Sequence, residues 1–78
     1  MINNNDKIQD IAECIKKFTD IAPEIYTRDN SDDVMVVFEY KIPTEEETSL
    51  IESALKKFGN PIPNFCREIS FISFLILS

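Results

Sequence analysis

Apolar residues first recur at Ile8, Ile11, Ala12, Ile15, Phe18 and Ala22. At spacings of three and four they fall on one side of a helix that turns by about 100° per residue. Asp10, Glu13, Lys16, Lys17 and Asp20 take the opposite side. The pattern predicts an amphipathic helix that ends before Pro23, because a residue preceding proline is pushed out of helical geometry. Cys14 and Ile21 border the apolar stripe, Cys14 as a small packing residue. Residues 1–5 are a polar start, and Asn4 or Asn5 is placed to cap the first turn with its side-chain oxygen.

The period then changes. Residues 24–29 predict a short strand and residues 30–33 a polar turn. Val34, Val36, Phe38, Tyr40 and Ile42 alternate with Met35, Val37, Glu39 and Lys41. Period two with β-branched and aromatic residues predicts a strand over 34–42 with one wholly apolar face. Pro43 ends it. Thr44 and Glu47 match a capping box, in which the threonine oxygen accepts an N–H three residues on and the glutamate reaches back. Glu45, Glu46 and Glu47 meet the positive end of the helix dipole. Leu50, Ile51, Ala54, Leu55 and Phe58 form the stripe expected to be buried, and Gly59 suits a left-handed closing residue. Asn60-Pro61-Ile62-Pro63-Asn64 reads as a stiff connector. From Ile69 to Leu77 the chain predicts a last strand that is apolar on both faces: Ile69, Phe71, Leu75 and Leu77 on one, Ile72, Phe74 and Ile76 on the other.

The expected fold class is therefore α/β (α+β). It is a two-layer sandwich of order α-β-β-α-β, with a small mixed sheet of two or three strands and two amphipathic helices on one face. If strands 34–42 and 69–77 were parallel in one sheet, the crossover between them would be right-handed. One domain is expected over 1–78.

Length then raises the question of support. A 78-residue chain buries a small core, and domains of this size often add disulfides, metals or oligomerisation. The only cysteines are Cys14 and Cys66. No basic n-region or apolar h-region opens the chain, so reduced thiols in a cytoplasmic protein are expected. Histidine is absent, and two thiols alone cannot close a tetrahedral zinc site. Asp29-Asn30-Ser31-Asp32-Asp33 offers oxygen ligands at calcium-loop spacing. However, Val34 stands where the turn glycine belongs and Tyr40 where the bidentate glutamate belongs. No metal or other cofactor is expected, which leaves oligomerisation or a partner.

Chemistry narrows the function further. Nucleophilic catalysis needs an activated side chain beside a base, and no histidine serves either cysteine. A phosphate loop needs glycines, and the only glycine is Gly59. The carboxylates lie in helix first turns and turns, where capping and solvation account for them. The expectation is a protein that is not an enzyme. A net charge of −6 argues against direct binding to nucleic acid or anionic membrane and is compatible with a basic protein partner. The apolar run over 69–77 is far shorter than the roughly 20 residues of a membrane span.

Two interaction signals remain. Asp29, Asp32, Asp33, Glu45, Glu46, Glu47 and Glu52 are candidates for an acidic patch that docks on a basic site. Ile69, Phe71, Ile72, Phe74 and Ile76 are candidates for a homodimer interface, by sheet pairing or face packing, because a strand apolar on both faces needs two covers. In size, acidity, glycine poverty and lack of catalytic apparatus the chain resembles the immunity proteins and antitoxins that bacteria pair with toxins. That resemblance implies an inhibitor of a basic toxin domain, such as a nuclease. Two alternatives are a phage- or plasmid-encoded anti-defence inhibitor that mimics nucleic-acid charge, and a structural or regulatory homodimerisation module.

Overall fold

In a computed structural model of the chain, residues 4–28 and 31–77 are described, the first two of them by backbone alone. The Asn4 and Asn5 side chains, on which the expected cap depends, and the patch residue Asp29 lie outside what is described. The elements run α1 (Asn4–Lys16), β1 (Glu24–Thr27), β2 (Val34–Glu39), α2 (Glu45–Leu55), β3 (Asn60–Cys66) and β4 (Phe71–Leu77). Short 3₁₀ turns follow α2 at Lys56–Phe58 and β3 at Arg67–Ile69. The class is α+β, as the patterning predicts. No helix among the described residues is long and apolar enough to cross a membrane.

The sheet is larger than expected. It has four strands in the order β1-β2-β4-β3, with every neighbouring pair antiparallel. The added strand is β3, which contains the Pro-x-Pro stretch that reads as a connector. Proline lacks an N–H, so it is tolerated in a sheet at an edge, where its nitrogen faces away from the neighbouring strand. β3 is an edge strand, and Pro61 and Pro63 sit two apart in its register with β4. β2 and β4 are antiparallel neighbours, so no parallel crossover joins them. The parallel pair is β2 and β3, linked through α2 with β4 inserted between them, a split β-α-β unit.

Both helices cover one face. Ile11 and Ile15 of α1 and Ile51 and Leu55 of α2 share a single core cluster with Val34, Val36, Phe38, Ile72, Phe74 and Ile76. Side chains alternate along a strand, so the other face carries Met35, Val37 and Glu39 from β2 and Phe71, Ser73, Leu75 and Leu77 from β4. The last strand is thus central. It pairs on both sides within the chain and has one face under helices and one without a helix.

Several boundaries differ from the reading of the sequence. α1 ends at Lys16, seven residues before Pro23, in a turn closed by bonds from Lys17, Phe18 and Thr19 N–H groups to Cys14 and Ile15 carbonyls. The Thr19 hydroxyl then accepts from the Ile21 N–H at 3.2 Å and stabilises the exit. α2 buries Thr48, Ile51 and Leu55, while Leu50 is turned outward. Its capping box forms as expected: Glu47 N–H donates to Thr44 Oγ1 at 3.1 Å, and Thr44 N–H donates to Glu47 Oε1 at 2.9 Å. Gly59 is not left-handed. Its backbone is at φ 155°, ψ −156°, an extended geometry that admits little besides glycine.

β2 stops at Glu39 rather than at residue 42. Tyr40 adopts φ 68°, and the Lys41 N–H bonds back to the Glu39 carbonyl at 2.7 Å. This tight turn removes Tyr40 from the apolar face that alternation assigns to it, and its side chain is 88% exposed.

Candidate interaction surface

The register divides the expected acidic patch. Asp32 and Asp33 lie just before β2, and Glu45, Glu46 and Glu47 follow its far end after a short loop. The six residues of β2 separate these groups by about 17 Å at 3.4 Å per residue. The two groups therefore stand at opposite poles. At the first, Lys7 Nζ donates to the Asp32 carbonyl at 2.9 Å. At the second, Glu47 is engaged in the helix cap, and Glu45 Oε1 lies 3.9 Å from Arg67 Nε. Glu52 is half-buried further along α2.

The topology gathers other glutamates at the second pole. β1 begins there with Glu24, β2 ends there with Glu39, and Glu68 lies in the turn joining β3 to β4. Glu39 precedes Glu45 by a short loop, and antiparallel pairing brings Glu24 and Glu68, far away in sequence, to the same end. Glu24 also accepts a hydrogen bond from the Tyr26 hydroxyl. That bond, together with the charges of Glu24 and Glu39, raises the Tyr26 phenol above its ordinary range.

Two loops meet at this pole. The Tyr40 N–H donates to the Ser70 carbonyl at 3.1 Å, and Ser70, like Tyr40, has positive φ (51°). Each such residue costs about 1 kcal/mol or more unless asparagine, aspartate or glycine fills it. Beside them Ile69 is 71% exposed. The pole is thus a tip that exposes Tyr40 and Ile69 on two cross-bonded loops, at the end of the sheet that also carries Glu39, Glu45, Glu68, Lys41 and Arg67. Of the expected dimer residues, Ile69 is exposed at this tip and Phe71 is half-buried on the uncovered sheet face. Ile72, Phe74 and Ile76 have no exposed surface and lie in the chain's own core. Their side chains are unavailable to a second chain, and β4 has no free edge to pair.

The uncovered sheet face has its own character. Tyr26, Met35, Leu75 and Ile62 are register partners in one row across all four strands. Tyr26, Ile62 and Met35 are 50%, 43% and 38% exposed. None of the strand residues on this face is lysine or arginine. On the helix side of β3, a shallow groove of about 280 Å³ runs along α2, lined by Glu45, Thr48, Ser49, Glu52, Phe65 and Arg67. Cys14 is buried in α1 and Cys66 is exposed at the end of β3, both as free thiols. Among the described residues, no group of three or more acidic, cysteine or histidine side chains is arranged to hold a metal ion.

Tyr40, Glu39, Glu68 and Phe65 are the surface residues that sequence reasoning misses. Tyr40 and Glu39 read as strand positions, and Phe65 follows a segment read as linker. A tyrosine placed just before a Lys-Ile-Pro strand end is the one local signal of the tip. No family model, no curated protein and no solved structure matches the chain.

Proposed function

We propose that this chain is a small protein-binding inhibitor of the immunity-protein or antitoxin type, and that its acidic tip docks on a basic site of a toxin domain such as a nuclease. The observation that carries the reading is the exposure of Tyr40 and Ile69 on two loops that contain positive-φ residues, at the end of the sheet where Glu39, Glu45 and Glu68 also lie. Large apolar side chains leave water on folding unless something else covers them, at about 1.5–3 kcal/mol for complete burial. Folding gives no return for displaying Tyr40 and Ile69 on strained loops, so the gain belongs to a complex. Tyrosine is a common anchor at interfaces, and surrounding carboxylates favour a basic partner through attraction and faster encounter. The overall charge of −6 acts in the same direction.

The test uses the product of a neighbouring gene that encodes a basic domain, expressed and purified with this chain. The expected result is a stable complex in which the domain's nuclease activity is suppressed. Tyr40→Ala combined with Ile69→Ser should weaken binding at least tenfold, while Asp32→Lys at the opposite pole should change it little. Full inhibition by the double variant would sink the assignment of the tip.

The uncovered sheet face supports a second reading, self-association. An apolar row of Tyr26, Met35, Leu75 and Ile62, with no lysine or arginine among the strand residues of that face, suits a second copy packed face to face. Sedimentation of the wild type and of Met35→Lys measures it. A concentration-dependent dimer abolished by the substitution is expected, and a monomer at micromolar concentration overturns it.

A further inference from the structure

The groove between α2 and β3 adjoins the tip, because Glu45 and Arg67 belong to both. Three of its features are unexplained by folding. Glu52 is half-buried there, yet it makes no hydrogen bond or ion pair among the described residues. Thr48 forms part of the floor at 3% exposure, and its hydroxyl oxygen has no hydrogen-bond partner among the described residues. Buried hydroxyls are normally satisfied, and an orphaned one costs about as much as a lost bond. Finally, Phe65 is 45% exposed although it packs edge-on against Phe74, with ring centroids 5.7 Å apart. An aromatic ring, two carboxylates and an unpaired hydroxyl thus converge on one depression.

Glu45, Thr48 and Glu52 share one side of α2 because they are spaced at three, four and seven residues. Phe65 and Arg67 face them from the edge strand and its turn. The edge itself repels an added strand, since Pro61 and Pro63 offer it no donors. What reaches this groove is therefore a side chain. We infer that the groove accepts an arginine side chain of the protein that docks on the tip, with its guanidinium against the Phe65 ring and paired to Glu52. This rests on the proposed inhibitory reading, in which the partner is basic. Guanidinium fits better than an ammonium for physical reasons. It is planar, stacks on an aromatic face, is weakly hydrated and presents several donors in a fixed fork. One edge can bond the Glu52 carboxylate while another N–H points toward the floor that Thr48 forms. Arg67 does not fill this role, because it already lies toward Glu45 at the groove's end.

The experiment is a titration of ¹⁵N-labelled full-length chain with the capped tripeptide acetyl-Gly-Arg-Gly-amide. The same peptide carrying lysine or citrulline in place of arginine is the comparison. A saturable shift of the Thr48, Ser49, Glu52 and Phe65 amides is expected with the arginine peptide. Lysine, citrulline, Glu52→Gln or Phe65→Leu should each weaken it by about fivefold, the effect of one cation–π contact or ion pair. The spectrum of each variant reports whether it remains folded. Absence of a saturable shift, an equal response to lysine, or shifts spread over all the surface carboxylates overturns the inference. Tyr40→Ala and Ile69→Ser lie outside the groove and should leave the titration unchanged. A silent groove in a chain that still inhibits its partner through the tip removes this inference and leaves the proposed function standing.

Discussion

Gly59 lies against the carbonyl of Leu77, so close that a β-carbon at position 59 would collide with that oxygen and press on the Ile76 Cγ2 methyl. The contact arises because Asn60 begins β3 opposite Leu77 at the end of β4, leaving Gly59 to turn the chain out of α2 over a packed strand. Its φ of 155° adds a second demand that side chains resist.

Gly59→Ala should therefore destabilise the protein by about 2 kcal/mol or more, through both the clash and the backbone strain. Urea denaturation measures this as a lower midpoint with an unchanged slope. An alanine variant as stable as the wild type would show that the turn relaxes freely.

The alternation of β4 makes a sharper prediction. Phe74 points into the core with no exposed surface, while its neighbour-but-two Phe71 lies half-buried on the uncovered face. Phe74→Ala should cost about 3–5 kcal/mol, as lost transfer energy plus a cavity that the two helices cannot fully close. Phe71→Ala should cost less than half of that. Paired denaturation curves decide it, and equal losses would mean that the uncovered face is covered in solution.

Much of this architecture was legible in the sequence, and the failures have identifiable physical causes. α2 was readable because its cap, dipole complement and apolar spacing agree, and Thr44 and Glu47 bond as their spacing requires. β2 and β4 were readable from period two. β3 was not, because Pro61 and Pro63 are strand breakers everywhere except on an edge, and edge position is a property of the finished sheet. The order of strands decided the rest. In the order formed, β4 pairs on both sides and Ile72, Phe74 and Ile76 lie in the core with α1 and α2. The surface was least legible. Glu24 and Glu68 reach the end of the sheet that holds Glu39 and Glu45 only through antiparallel register, and Tyr40 leaves the strand pattern at a positive φ.

The Tyr26–Glu24 pair gives a prediction in pH. The hydrogen bond to Glu24, then the nearby charges of Glu24 and Glu39, hold the Tyr26 phenol protonated above its ordinary pKa of about 10. For a group whose folded pKa is raised, the stabilising effect is present below the unfolded value and is lost as pH rises through the folded one. Phenolate absorbance of a Tyr40→Phe variant, in which Tyr26 is the remaining tyrosine, should show a midpoint above that of a free tyrosine. Adding Glu24→Gln should bring it down. A midpoint insensitive to Glu24 would break the assignment.

Pro61 and Pro63 govern whether the sheet grows. In an antiparallel ladder alternate residues direct their N–H groups to the partner and the rest direct them outward. Continuous pairing of Asn60–Cys66 with β4 requires both prolines to belong to the outward set. The free edge of β3 then has Phe65 as its one donor between positions 61 and 65. Replacing both prolines by valine, the buried Pro61 and the exposed Pro63, would add two outward N–H groups and two β-branched side chains to the edge strand beside the exposed Ile62 and Phe65. The double variant should fold and yet associate at concentrations where the wild type does not, by pairing β3 edge to edge. Sedimentation velocity over a range of concentrations reads this directly. A charge placed on the same edge, Asn64→Lys, should return the variant toward wild-type behaviour. If the valine variant sediments as the wild type does, the prolines are not what protects the edge, and the glutamate-rich tip with its net repulsion becomes the better explanation.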